Sequence, residues 1–187
     1  MIRKRCRRHD EPGQAHGLTF SCYRRLPLLS KDRTRRWLIE AIDEARRLAR
    51  FDLWAYDIMP EHAHLLLAPR SPPVGISRIL RRIKRPVGRK AIAYLESTSP
   101  AWLARLTVIG SDGAVERRFW QAGGGYDRNL VEPDTAWKVV DDFHRNPVRR
   151  GLVGRPEDRE WSSARWYAGI RPVPLEIDPT LPRLNLP

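Results

Sequence analysis

Apolar residues recur along this chain with two different periods, and the periods divide it into alternating strand and helix segments. His16–Leu29, with Leu18-Thr19-Phe20 near its centre, is rich in residues that suit a pleated surface and predicts a first strand ended by Pro27. From Asp32, a capping type of residue, to Arg50 the apolar positions are Trp37, Leu38, Ala41, Ile42, Ala45, Leu48 and Ala49. That three-four spacing predicts an amphipathic helix. Two apolar runs follow, Phe51–Ile58 and His62–Leu67, and they predict a strand pair with a tight connection at Pro60. Ile76, Ile79, Leu80, Ile83, Val87, Ala91 and Leu95 then form one stripe, the buried side of a second helix over 76–95. Pro86 lies inside it and is expected to kink or split it.

Leu106–Ile109 and Arg118–Gln121 are further strand candidates, with Ser111-Asp112-Gly113 as a turn between them. A loop containing Gly123-Gly124-Gly125 leads toward a third helix, which Pro133 opens and Pro147 is expected to stop at Asn146. The resulting order predicts an α+β fold, a ferredoxin-like sandwich with an antiparallel sheet and helices packed on it. We expect a basic, loose arm over 1–15, one domain over 16–150, and a proline-rich extension over 151–187 packed on that domain.

Charge sharpens this picture. The net charge of +13 resides in two blocks: residues 1–50 and residues 70–90 each carry +8, residues 51–69 carry −3, and the remainder balances to zero. Thirty of the 35 basic residues are arginine, whose planar fork suits phosphate and base edges. Arg78, Arg81, Arg82, Arg85 and Arg89 fall within an arc of about 100° on one face of the second helix. No acidic residue occurs between Glu61 and Glu96, so phosphate contact is favoured over a mixed, solvated helix side. Trp120, Tyr126, Trp161, Trp166 and Tyr167 suit base stacking and core packing equally. Two cysteines, Cys6 and Cys22, make neither a disulfide scaffold nor a zinc site. No apolar run is long enough to cross a membrane, and the first residues, MIRKRCRRHDEPG, lack the apolar centre of a signal peptide, so a cytoplasmic protein is expected.

His62-Ala63-His64 is the sharpest chemical feature. Residues two apart on a strand face the same way, so both imidazoles can converge on one divalent ion while Ala63, Leu65 and Leu67 face the core. The same pattern also suits two histidines on an edge strand. Asp142 and Asn146, four apart on the third helix, share a face and offer a carboxylate and an amide oxygen to a hard cation. Ordinary ion pairs, Lys138 with Asp142 and Asp141 with Arg145, account for that face as well. The glycine triplet lacks the Lys-Ser/Thr of a phosphate loop, and no Ser/His/Asp signature occurs.

Four segments together resemble one family. YDIMPEHAHLLLAP resembles the HUH-motif strand of single-tyrosine transposases, in particular the REP-associated tyrosine transposases. RRFWQAGGGYDRNL, HRNPVRRGLV and PEDREWSSARWY resemble later segments of the same family, in the same order, across about residues 16–168. The resemblance implies a domain that binds single-stranded or hairpin DNA, with Mg²⁺ or Mn²⁺ held by His62, His64 and Asn146. It is also compatible with a homodimer. The family's nucleophile is a tyrosine five residues before the proline of the Asn-Pro phrase, and here Asp142 stands in that place. The leading expectation is therefore a transposase-like DNA-binding protein impaired in cleavage and rejoining through phosphotyrosine. The alternatives are an active transposase using Tyr126, a metal-dependent nuclease using Asp142, and a non-enzymatic RNA-binding protein or scaffold on the same fold.

Overall fold

The computed structural model describes residues 14–70, 74–123 and 125–183. Residues 1–13 of the expected basic arm lie outside the described residues. The elements are β1 (Ala15–Ser21), α1 (Asp32–Ala49), β2 (Phe51–Ile58), β3 (His62–Pro69), α2 (Ile76–Thr98), α3 (Pro100–Leu106), β4 (Thr107–Ile109), β5 (Val115–Arg117), β6 (Tyr126–Leu130), α4 (Pro133–Arg149) and α5 (Ala164–Tyr167). β2, β3, β1 and β6 lie side by side in that order, all neighbours antiparallel. This is the ferredoxin-like α+β sandwich that the periodicity predicts.

The alternation of each strand distributes its residues between two cores. Leu18 and Phe20 of β1, Tyr56 and Ile58 of β2, and Ala63, Leu65 and Leu67 of β3 face α1 and α2. Those helices answer with Leu38, Ile42 and Ala45 and with Ile76, Ile79, Ile83 and Val87, all buried. Each such side chain contributes roughly 1.5–3 kcal/mol on removal from water. On the opposite face, Ala15, Ala55, Leu66 and Leu130 meet Ala136, Val140 and Phe143 of α4. The sheet is thus covered on both sides, by two helices on one and by α4 on the other.

The structure departs from the sequence pattern in five places, the first being β1, which ends at Ser21 ahead of a 3-10 turn over Tyr23–Arg25 and does not run on to Pro27. The fourth strand of the main sheet is β6, whereas Arg118–Gln121 contributes a single bridge, Trp120 to Cys22. β6 escapes a hydrophobic search because it is an edge strand whose one buried apolar residue is Leu130. Its Asp127 faces inward, where it accepts from His16 Nδ1 at 2.9 Å with both side chains 1% exposed. Leu106 ends a short helix, α3, and the hairpin around Ser111-Asp112-Gly113 forms a separate two-stranded sheet of β4 and β5. α2 runs unbroken through Pro86, and Trp120 Nε1 donates to the Lys84 carbonyl at 2.8 Å in the turn that the proline disturbs. Pro147 does not stop α4, which continues to Arg149 with the proline buried in its last turn.

The segment after residue 150 contacts β2 and α4. Asp178 lies along the free edge of β2, its N–H donating to the Leu53 carbonyl at 2.8 Å and its carboxylate accepting from Leu53 N–H at 2.8 Å. Trp54 Nε1 donates to Thr180 Oγ1 and Trp137 Nε1 to the Pro182 carbonyl, so the extension ties β2 to α4. A covered edge presents no template for a foreign strand. Among the described residues no helix is long and apolar enough to cross a membrane.

Gly125, just before β6, has φ +70, and a Cβ there would stand 2.2 Å from the Thr19 carbonyl oxygen. Both the left-handed backbone and the close approach to β1 require glycine. Gly125→Ala is expected to cost on the order of 2 kcal/mol, read as a lower urea midpoint; an unchanged midpoint contradicts this packing.

Candidate metal centre

β3 begins with His62 and His64 on the sheet face that α4 covers. Their rings meet edge to face with centroids 4.6 Å apart, and their Nε2 atoms are 2.9 Å from each other. α4 brings Asn146 to the same point, its Nδ2 donating to His64 Nε2 at 2.7 Å. The helix is held in this place by Phe143, which stacks on the His64 ring with centroids 4.7 Å apart. Three side chains, separated by up to 84 residues in sequence, therefore converge on one small volume.

The surroundings fix the tautomers. His62 Nδ1 lies 3.1 Å from Glu61 Oε1, and Glu61 in turn accepts from Arg150 Nη1 at 2.9 Å. Burial works to raise the Glu61 carboxyl, but the Arg150 hydrogen bond and the neighbouring charges of His62 and Arg150 hold it below the usual range. An ionised carboxylate only accepts, so the His62 proton sits on Nδ1 and Nε2 keeps its lone pair. Asn146 donates to His64 Nε2, which assigns that atom a lone pair too and puts the His64 proton on Nδ1, 2.8 Å from Thr19 Oγ1. Two lone pairs then face each other at 2.9 Å. Cis ligands about 2.1 Å from a shared cation stand about 3.0 Å apart, so the spacing and the chemistry of these donors suit a divalent ion. A 180° turn of the Asn146 amide offers Oδ1 as the third donor. Among the described residues no group of three or more His, Cys, Asp and Glu is placed to hold a metal, so the third donor available is this amide.

Both histidines are held below the ordinary imidazole range. For His62 the cause is burial, partly offset by Glu61. For His64 burial, helped by the charges of His62 and Arg149, pushes it down to about 3. Neutral imidazoles are the form that ligates metals.

Asp142 is elsewhere. Its exposed carboxylate accepts from Arg149 Nη2 at 2.8 Å and does not join the histidines. Tyr126, 60% exposed, opposes Thr19, which opposes His64, so the three share one row and one face of the sheet. The five arginines of α2 lie across the sheet from the histidines. Arg78, Arg81, Arg82 and Arg85 surround a shallow recess, and Arg81, Arg85 and Arg89 form one wall of a groove of about 770 Å³ closed by Arg118, Trp120 and Gly123. None of the five forms an ion pair among the described residues. Glu61, Arg150, Thr19 and Phe143 are missing from the sequence reading of the site. Only Glu61, an acid adjoining the histidine pair, left a local signal.

No protein-family model matches this chain, and no curated protein matches it. Solved structures do. A REP-associated tyrosine transposase bound to a REP hairpin superposes with a TM-score of 0.67 over 97% of this chain and 98% of its own, at 19% identity. A "putative transposase" from Deinococcus radiodurans aligns with a TM-score of 0.45 over 78% of this chain and 97% of its own, at 16% identity. The chain thus has the fold of the REP-associated tyrosine transposase, from the first strand of the sheet to the C-terminal extension.

The buried histidines make stability depend on pH. His64 at about 3 and His144, a buried residue of α4 pushed down to about 4, both lie below the unfolded value of 6.5. The unfolded chain therefore binds more protons as pH falls below that value, and stability present above it is lost toward the folded values. Asp57, buried and raised from 3.8 to about 7, acts in the opposite sense across that window and offsets one of the two histidines. In EDTA the urea midpoint is expected to fall between pH 6.5 and pH 4, and His144→Leu to flatten that fall. A pH-independent midpoint contradicts the assignment of buried, neutral histidines.

Proposed function

We propose that this chain is a transposase-like protein that binds single-stranded or hairpin DNA at a divalent-metal site, with strand cleavage and rejoining impaired. The observation that carries the reading is the convergence of His62 Nε2, His64 Nε2 and the Asn146 amide at 2.9 and 2.7 Å beneath α4. The likeness of fold to a transposase captured on a REP hairpin supports hairpin DNA as the ligand class. The arginines of α2, which form no ion pair among the described residues, support a polyanion.

His62 Nε2, His64 Nε2 and Asn146 Oδ1 would hold Mg²⁺ or Mn²⁺, which when bound supplies Lewis acidity and a template for a phosphate oxygen. The chain's own residues do the rest. Glu61 and Arg150 fix the His62 tautomer, Thr19 bonds His64 Nδ1 and holds its ring in place, and Phe143 keeps α4 and its amide in register with the strand. What is missing is the nucleophile. Attack by Asp142 on a phosphodiester would give an acyl phosphate, a mixed anhydride that water cleaves, so no stable adduct is stored for rejoining. A second reading, strand transfer through Tyr126, draws on its place in the row of Thr19 and His64, on the face that carries the site.

A denaturing gel separates the readings. With end-labelled single-stranded hairpins and Mn²⁺, intact DNA together with a native-gel shift is expected, and Asp142→Tyr is expected to yield a protease-sensitive DNA adduct. An adduct with the unaltered chain, abolished by Tyr126→Phe, overturns the impaired-cleavage reading. Shortened DNA without an adduct points to hydrolysis and overturns it too. Replacing His62 and His64 together by alanine is expected to weaken Mn²⁺ binding at least tenfold; unchanged Mn²⁺ binding removes the site. Hairpin affinity is expected to fall steeply with salt, and Arg81→Ala or Arg85→Ala to lower the slope by roughly one unit each. A salt-independent affinity contradicts the role of the arginine face.

A further inference from the structure

Arg149 has no part in the metal centre described above, yet it follows Asn146 by three residues on the same face of α4. Its Nη2 donates to Asp142 Oδ1 at 2.8 Å and to the Asp142 carbonyl at 3.0 Å. Seven residues of helix span about 10.5 Å, so the long side chain reaches back along two turns of α4. Asn146 lies within that span, four residues after Asp142 and three before Arg149, on the same side of the helix. Its amide is the group that touches His64 Nε2 at 2.7 Å. The ion pair therefore spans the helix face that carries Asn146.

The ion pair is a poor candidate for a structural element. Its two side chains are 54% and 60% exposed, and pairs so exposed add little to stability. A phosphodiester is a stronger partner for the same cation, because it can take both arms of the guanidinium in charge-assisted hydrogen bonds. Arg150, the neighbouring arginine, is committed to the buried Glu61 and is not available for this role.

We propose that Arg149 is a phosphate-binding residue of this site, and that Asp142 is an internal competitor that holds its guanidinium until a DNA phosphate displaces the carboxylate. The inference rests on the reading above that DNA phosphate is brought to the histidine pair. It gives the aspartate in the nucleophile's position a function of its own. The carboxylate imitates the anion that the site is built to receive, and weakens binding by having to be displaced.

The test is hairpin DNA binding in EDTA, followed by fluorescence anisotropy at several salt concentrations. Asp142→Asn is expected to tighten binding about three- to tenfold and to steepen the salt slope by close to one unit, the mark of one more cation released to phosphate. Arg149→Ala alone is expected to weaken binding about three- to tenfold, since it removes the phosphate's partner and leaves the Asp142 carboxylate unpaired. Combining the two is expected to remove the gain. Asp142→Ser serves as a second variant, and an unchanged urea midpoint in each shows that the fold is intact. A gain that persists without Arg149 overturns the proposal, because simple loss of a negative charge would then explain it. Affinity that responds to Arg81→Ala but not to Asp142→Asn overturns the competitor and leaves DNA binding standing. No hairpin binding by the unaltered chain overturns both.

Discussion

The docking of α4 on the second face of the sheet is the contact on which everything else at the site depends. Strand geometry alone places His62 and His64 on that face, but two imidazoles do not make a centre. The third donor arrives because Val140, Ala136 and Phe143 pack on Leu66, Ala55 and Leu130, and because Phe143 lies flat on the His64 ring. His144 fastens the same helix from its other side, its Nε2 2.8 Å from Ser163 Oγ, and Ser163 in turn bonds to the backbone of Tyr56. A helix pinned to the sheet by apolar contacts and to the C-terminal extension by a buried hydrogen bond has little freedom to carry Asn146 away. The three side chains are thus positioned by rigid elements.

Charge and chemistry occupy opposite faces of one sheet. The arginines of α2 stand on the outer side of the two-helix layer, the histidines beneath α4. The groove beside α2 ends at Trp120 and Gly123, and the chain then passes Gly125, packed on Thr19, to reach Tyr126 in the row of His64. Gly123 thus borders the basic groove, while Gly125 and Tyr126 stand beside Thr19 in the row that leads to His64.

Most of the fold is readable in the sequence, because α1 and α2 each bury one regular stripe and β1 to β3, covered on both faces, are near-continuous apolar runs. The histidine pair was readable because a period of two sends both rings one way. β6 was not, because its inward residue is an aspartate matched to His16, and such a pair is polar in both partners. The length of α4 was misjudged because a proline in a last turn costs only one donor, and burial of Pro147 outweighs that loss. Glu61 and Arg150, 89 residues apart, could not be joined by any local rule. Nor could spacing say that Asp142 would pair with Arg149 across two helical turns rather than with Lys138.

The account stands on the claim that His62, His64 and Asn146 form one cation-binding group. Its most direct test is NMR of protein labelled with ¹⁵N in the histidine rings and asparagine side-chain amides, titrated with substoichiometric Mn²⁺. Paramagnetic broadening of the His62, His64 and Asn146 side-chain signals before all others is the predicted result. Broadening that spares these three, or that begins at exposed carboxylates remote from α4, contradicts it.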